Sequence, residues 1–131
     1  MNPDILEFAR EWLQLAGEDL KWAKASFREG FYSQTCFVCQ QVAEKSLKGY
    51  LYAFRRDAKT HDLIRLMELC LEFDSAFLSL KKDLRILEPY YIGTRYPDVG
   101  DVARFNKEGF AKEALQIAEK VLNFVNGKLE K

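Results

Sequence analysis

Apolar side chains recur every three or four residues through almost the whole chain, and that spacing commits it to packed helices. In the first segment Ile5, Phe8, Trp12, Leu15, Ala16, Leu20, Ala23 and Phe27 fall on one face, after an Asn2 cap and a first-turn Pro3, and Gly30 is the expected stop. A second stripe, Cys36, Cys39, Ala43, Leu47, Tyr50 and Phe54, begins near Ser33. Gly49 lies inside it and weakens the helix, so a close approach of another element is expected there. A third helix follows Thr60, read as its cap, with Leu63, Leu66, Met67 and Cys70 facing inward; Phe77, Leu80, Leu84 and Leu87 continue the spacing after Asp74-Ser75. Between Glu88 and Asn106 the period fails, punctuated by Pro89, Gly93, Pro97 and Gly100, and an irregular connection of this length is often functional. The last helix is expected from Lys107 to Asn126, capped by Asn106 and stopped by Gly127. Strand patterns are weak everywhere. The reading is an all-α protein, an antiparallel up-and-down four-helix bundle with one short extra helix and a long irregular loop before the last helix, forming a single domain over residues 1–131.

Composition narrows the function classes. With 48% hydrophobic, 14% aromatic and 31% charged residues, the chain is globular rather than disordered. Its 20 basic and 20 acidic side chains cancel, so any nucleic-acid contact must come from a local basic patch. No secretory leader is expected at Met1 to Phe8, and no apolar run is long enough for a membrane span. The three cysteines, Cys36, Cys39 and Cys70, read as reduced thiols of a cytoplasmic protein.

Four features could carry chemistry. Gln41, Lys45, Lys48, Tyr52 and Arg55 step by four, three, four and three along one line of the second helix, a ridge that could grip phosphates and stack a base, or a solvated face on which Glu44 pairs with Lys48. The irregular segment brings Tyr90, Tyr91, Thr94, Arg95, Tyr96, Pro97 and Asp98; there Arg95 suits phosphate binding, and Asp98 could hold that arginine or meet a metal or ribose, or the segment is a loop whose tyrosines cover the end of the core. His61, the single histidine, could act as acid, base or phosphate contact, or simply pack a loop. Cys36-x-x-Cys39 lies on the buried face of a periodic helix, so core packing is expected rather than a metal site or a redox pair.

The order of these segments resembles the HEPN domain family. Ala16-x-x-Asp19-Leu20-x-x-Ala23 is similar to its opening helix, and Cys39-Gln40-Gln41-Val42-Ala43-Glu44-Lys45-x-Leu47-Lys48 to its second-helix signature. His61-Asp62-Leu63 matches a His-x-Leu, and Tyr91-x-x-x-Arg95-Tyr96-Pro97-Asp98 resembles its Arg-Tyr-Pro loop. The resemblance implies a nucleotide- or RNA-binding bundle, expected as a homodimer, acting with a minimal nucleotidyltransferase partner in a module like a toxin–antitoxin pair, with no cofactor. Lys45, Lys48, His61, Arg95, Tyr91, Tyr96 and Asp98 are then the expected phosphate or nucleotide contacts. The ribonuclease branch carries an arginine and, four to six residues on, a histidine at the start of the last helix; here that place offers Arg95 and Arg104 without a histidine. Arg56 and His61 have the spacing between the second and third helices instead. That departure argues against RNA cleavage and leaves binding open. The alternatives are a metal-independent ribonuclease using His61 and Arg56, and a non-catalytic dimerisation scaffold.

Overall fold

The computed structural model of the chain describes residues 2–94 and 102–130. Helix α1 (Pro3–Arg28) begins where the Asn2 side chain accepts the Asp4 N–H at 2.8 Å and Pro3 occupies the first turn. It ends at Gly30, whose φ of 83° closes the turn: the Phe31 N–H bonds back to the Ser26 carbonyl. Helix α2 (Tyr32–Ala53) then runs back along α1. The pairing order shows the direction, for Thr35 bonds Ala23, Lys45 pairs with Asp19, and Tyr52 stacks on Trp12. Gly49 sits at the crossing. A Cβ there would lie 3.1 Å from Leu13 Cδ2 and Trp12 Cβ, and 3.2 Å from the Ala9 carbonyl, so the glycine permits the approach expected of it.

Beyond α2 the chain returns without regular structure to His61, which lies beside Gln40 and Glu44, and α3 (Leu63–Leu71) descends parallel to α2. Asp62, not Thr60, caps it: the Asp62 carboxylate accepts the N–H groups of Ile64 and Arg65, and the Thr60 hydroxyl accepts the Asp62 N–H. A 3-10 turn (Ser75–Leu80) and α4 (Lys81–Leu87) form the next ascending limb, burying Phe77, Leu80, Leu84 and Leu87. Two single turns, α5 (Tyr90–Gly93) and α6 (Val102–Phe105), lie in the stretch read as irregular. Helix α7 (Glu108–Leu129) descends antiparallel to α1, since Lys24 pairs with Glu119 while Arg10 bonds the Leu129 carbonyl. Its N-cap is Lys107; Asn106 instead accepts the Ser33 N–H with its amide oxygen, tying the loop to α2. The helix runs through Gly127, two residues past the expected stop.

The result is an all-helical up-down-up-down bundle in which α1, α2, the α4 limb and α7 are the four legs and α3 is the short extra helix. Helix α2 is the central leg, packed against α1, α3, α4, α5, α6 and α7. The inner stripe of α1 differs from the one read in its sequence: Ala9, Leu13, Ala16, Leu20 and Ala23 are buried, whereas Phe8 and Leu15 are exposed. All three cysteines are free and fully buried, and burial pushes the Cys36 and Cys70 thiols up to about 12 and raises that of Cys39 as well. They are core residues held away from the reactive thiolate.

Candidate functional site

The polar residues Gln40, Glu44 and Lys48 follow one another at single-turn spacing on α2, and this row meets the returning loop at His61. Glu44 is the centre. Its carboxylate is buried, with 7% of the side chain exposed, and a lysine and a histidine share it. Lys48 Nζ reaches Oε2 at 3.1 Å from the next turn. His61 Nδ1 stands 3.0 Å from both carboxylate oxygens. Gln40 completes the enclosure, its amide nitrogen donating to Glu44 Oε1 at 3.4 Å and to the His61 carbonyl at 3.2 Å; the Gln41 amide in turn donates to Gln40 Oε1 at 2.6 Å. Among the described residues no buried side-chain polar atom is left without a partner, as a buried charge requires.

A carboxylate can only accept, so His61 Nδ1 carries a proton, and the neutral ring then presents Nε2 as its acceptor. The histidine side chain is 56% exposed, which places that second edge toward solvent. One face of the imidazole is covered by Tyr91, stacked at 4.5 Å between ring centroids and 16° between planes. Tyr91 stands on α5, a turn fixed by its buried neighbours: Tyr90 meets Phe105 edge to face at 5.1 Å, and Gly93 lies so close to the Phe105 ring that a Cβ would come within 2.7 Å of it.

The cleft beside the histidine, about 450 Å3, is lined by Thr60, His61, Asp62, Glu88, Pro89, Tyr91 and Ile92. Glu88 braces its floor. The carboxylate accepts the Leu63 N–H at 3.2 Å and the Ile64 N–H at 3.1 Å, bonding the end of α4 to the start of α3. Burial raises its pKa above the ordinary carboxylate value, and Asp62 beside it adds to the rise, against the two backbone donors.

The expected contacts separate as follows. Lys48, His61 and Tyr91 are gathered around Glu44. Lys45 turns to α1, where its ammonium meets Asp19 at 2.6 Å. Tyr52 stacks on Trp12 at 5.2 Å and donates to Asp57. From Gln41 to Tyr52 the ridge read from spacing is thus a row of satisfied pairs, and of its cations Lys45 and Lys48 are compensated while Arg55 is exposed at the end of α2. Arg56 is exposed, its backbone N–H closing the end of α2, and its side chain makes no ion pair among the described residues. Arg95, Tyr96 and Asp98 lie outside the described residues. Among the described residues no group of three or more His, Cys, Asp or Glu side chains could hold a metal ion. Sequence reasoning gave Gln40 and Glu44 only as members of the second-helix signature, with Glu44 as a surface partner of Lys48, and assigned Glu88 no role. The available signal was the single-turn spacing of polar side chains at positions 40, 44 and 48 directly beside the apolar stripe Cys39, Ala43 and Leu47.

What fold and site define together is a small helical bundle domain with an exposed histidine anchored by a buried carboxylate. A family model described as HEPN domain matches residues 9–128, and the chain belongs to that family. The crystal structure of TT1696 from Thermus thermophilus superposes with a TM-score of 0.85 at 38% identity, over 92% of this chain and 97% of that one. The structure of ST0689, described as an archaeal HEPN homologue, gives 0.76 at 28% identity over 93% and 98%. A protein of Methanocaldococcus jannaschii named "Putative toxin MJ1304" is 26% identical over 92% of this chain and 87% of its own length. No helix among the described residues is long and apolar enough to cross a membrane.

Proposed function

We propose that this HEPN protein binds a nucleotide or the phosphate and base of an RNA at the His61 cleft, in the cytoplasm, as the binding member of a two-protein module. The observation that carries this reading is the imidazole held on one edge by buried Glu44, flanked by the Tyr91 ring and open on its other edge. Such a ring can hydrogen-bond a phosphate oxygen while Tyr91 and its neighbours offer a stacking surface for a base. Arg95 and Tyr96, from the Arg-Tyr-Pro resemblance, are proposed to join it with Asp98. A minimal nucleotidyltransferase is the proposed partner; the name of the archaeal relative lends weight to the toxin-like module. A homodimer is proposed through α1, where Phe8, Leu15 and Trp22 recur at seven-residue spacing with 48%, 54% and 59% of their surface exposed.

Calorimetric titration with AMP and with a short single-stranded RNA tests the binding reading. Tyr91→Ala is expected to weaken binding by about 1–3 kcal/mol, the range for a lost base–aromatic stack. Unchanged affinity in both Tyr91→Ala and His61→Ala removes the cleft from the function.

A ribonuclease is the second reading, favoured by one geometric fact: a carboxylate orienting a histidine through Nδ1 leaves Nε2 placed as a general base or acid. Cleavage of RNA in the presence of a chelator, abolished by His61→Ala in a folded protein, supports it; intact RNA at high protein concentration rejects it.

A further inference from the structure

The 3-10 turn and α4 carry a second surface, separate from the His61 cleft in every lining residue. Leu78, Ser79, Lys81, Lys82, Arg85 and Ile86 surround a groove of about 560 Å3. Three of the six are cations, in a chain whose net charge is zero. None of the three makes an ion pair with any described residue. Asp83, the one acid in α4, is turned away to Lys120 of α7, at 2.6 Å. Lys81 and Arg85 are spaced i,i+4 and Lys82 and Arg85 i,i+3, so these like charges repel along one helix face, an arrangement that costs the fold stability. Beside them Leu78 exposes 55% of its surface, and Ile86 forms the other aliphatic wall.

We infer that this groove is a docking surface for an acidic, amphipathic segment of a partner protein. Carboxylates of such a segment would compensate the three cations, and its aliphatic side chains would cover Leu78 and Ile86; charge complementarity and apolar burial are both met by one occupant. A nucleic acid fits less well. No aromatic ring lines the groove to stack a base, and the aliphatic walls would face phosphates. The inference stands apart from the His61 cleft, and neither depends on the other.

The test uses the full chain and three fluorescein-labelled probes. One is a synthetic helix-forming peptide with leucines at i, i+3, i+4 and i+7 flanked by glutamates; the second is a scrambled peptide of the same composition; the third is an oligouridylate. Anisotropy is expected to show saturable, salt-sensitive binding of the patterned peptide only at this surface. The double variant K82E/R85E is expected to weaken it about tenfold or more, as reversal of contacting charges does. Leu78→Ser is expected to weaken it as well, whereas Lys112→Glu, an exposed cation on α7, leaves it unchanged. Amide chemical shifts should move within residues 78–86. The proposal is overturned by absence of binding, by equal binding of the scrambled peptide, or by peptide affinity indifferent to K82E/R85E. It is also overturned if the double variant loses the oligouridylate and keeps the peptide.

Discussion

Glu44 is the residue on which the candidate site turns, because a buried carboxylate must be compensated, and here one carboxylate fixes both a lysine from its own helix and a histidine from a loop. The arrangement converts a flexible connection into a defined imidazole position. Glu88 plays the neighbouring part for the cleft floor, and its titration is measurable. Because its folded pKa lies above the ordinary value near 4.5, its favourable contribution is complete below that value and is lost as pH rises through the elevated one. The difference between the urea midpoints of the wild type and Glu88→Gln should therefore shift in the variant's favour between pH 4 and pH 7; a difference that is constant, or that moves the other way, contradicts the assignment. A second residue-scale expectation concerns Arg55. Helices α1 and α2 end in the same double backbone closure, but at the left-handed position α1 has Gly30, with φ 83°, and α2 has Arg55, with φ 58°. A side chain there is strained, so Arg55→Gly should raise the unfolding free energy by about 1 kcal/mol in chemical denaturation.

At the scale of elements, the contact between α1 and α2 is set by size as much as by hydrophobicity. Ala9 and Leu13 face the core where Gly49 brings the two backbones together, while the larger Phe8 and Trp12 pack at the flank against Tyr52. Gly49→Ala pits better helix propensity against a clash with a carbonyl and a Cβ that cannot move without the helix. The clash wins: a loss of about 1–3 kcal/mol, typical of overpacking, is expected as a lower denaturation midpoint at constant m-value. This contact also explains what was legible beforehand. The helices of the legs were readable because their apolar period repeats over several turns. The inner stripe of α1 was misplaced at its start because large apolar residues outrank alanine in any hydrophobicity count, although small residues are what a close crossing needs. The turns α5 and α6 hold four residues each, less than two turns of helix, and so leave almost no period to detect. His61, Lys48 and Tyr91 could be singled out by residue type. Glu44 could not, since a charged residue reads as surface until a partner removes that default.

At the scale of the whole molecule, α2 is the leg against which the other described helices assemble, with 15 of its 22 residues buried. Helices α5 and α6, by contrast, are single turns that hold the tyrosine of the cleft. Amide hydrogen exchange should therefore fall into tiers. Protons in the middle of α2 have no route to water short of global opening, so their exchange free energies should equal the denaturation value, while those of α5 should exchange through a smaller, local event. If so, the protein can loosen the edge that carries the His61 cleft, in solution and at equilibrium, while its spine stays closed.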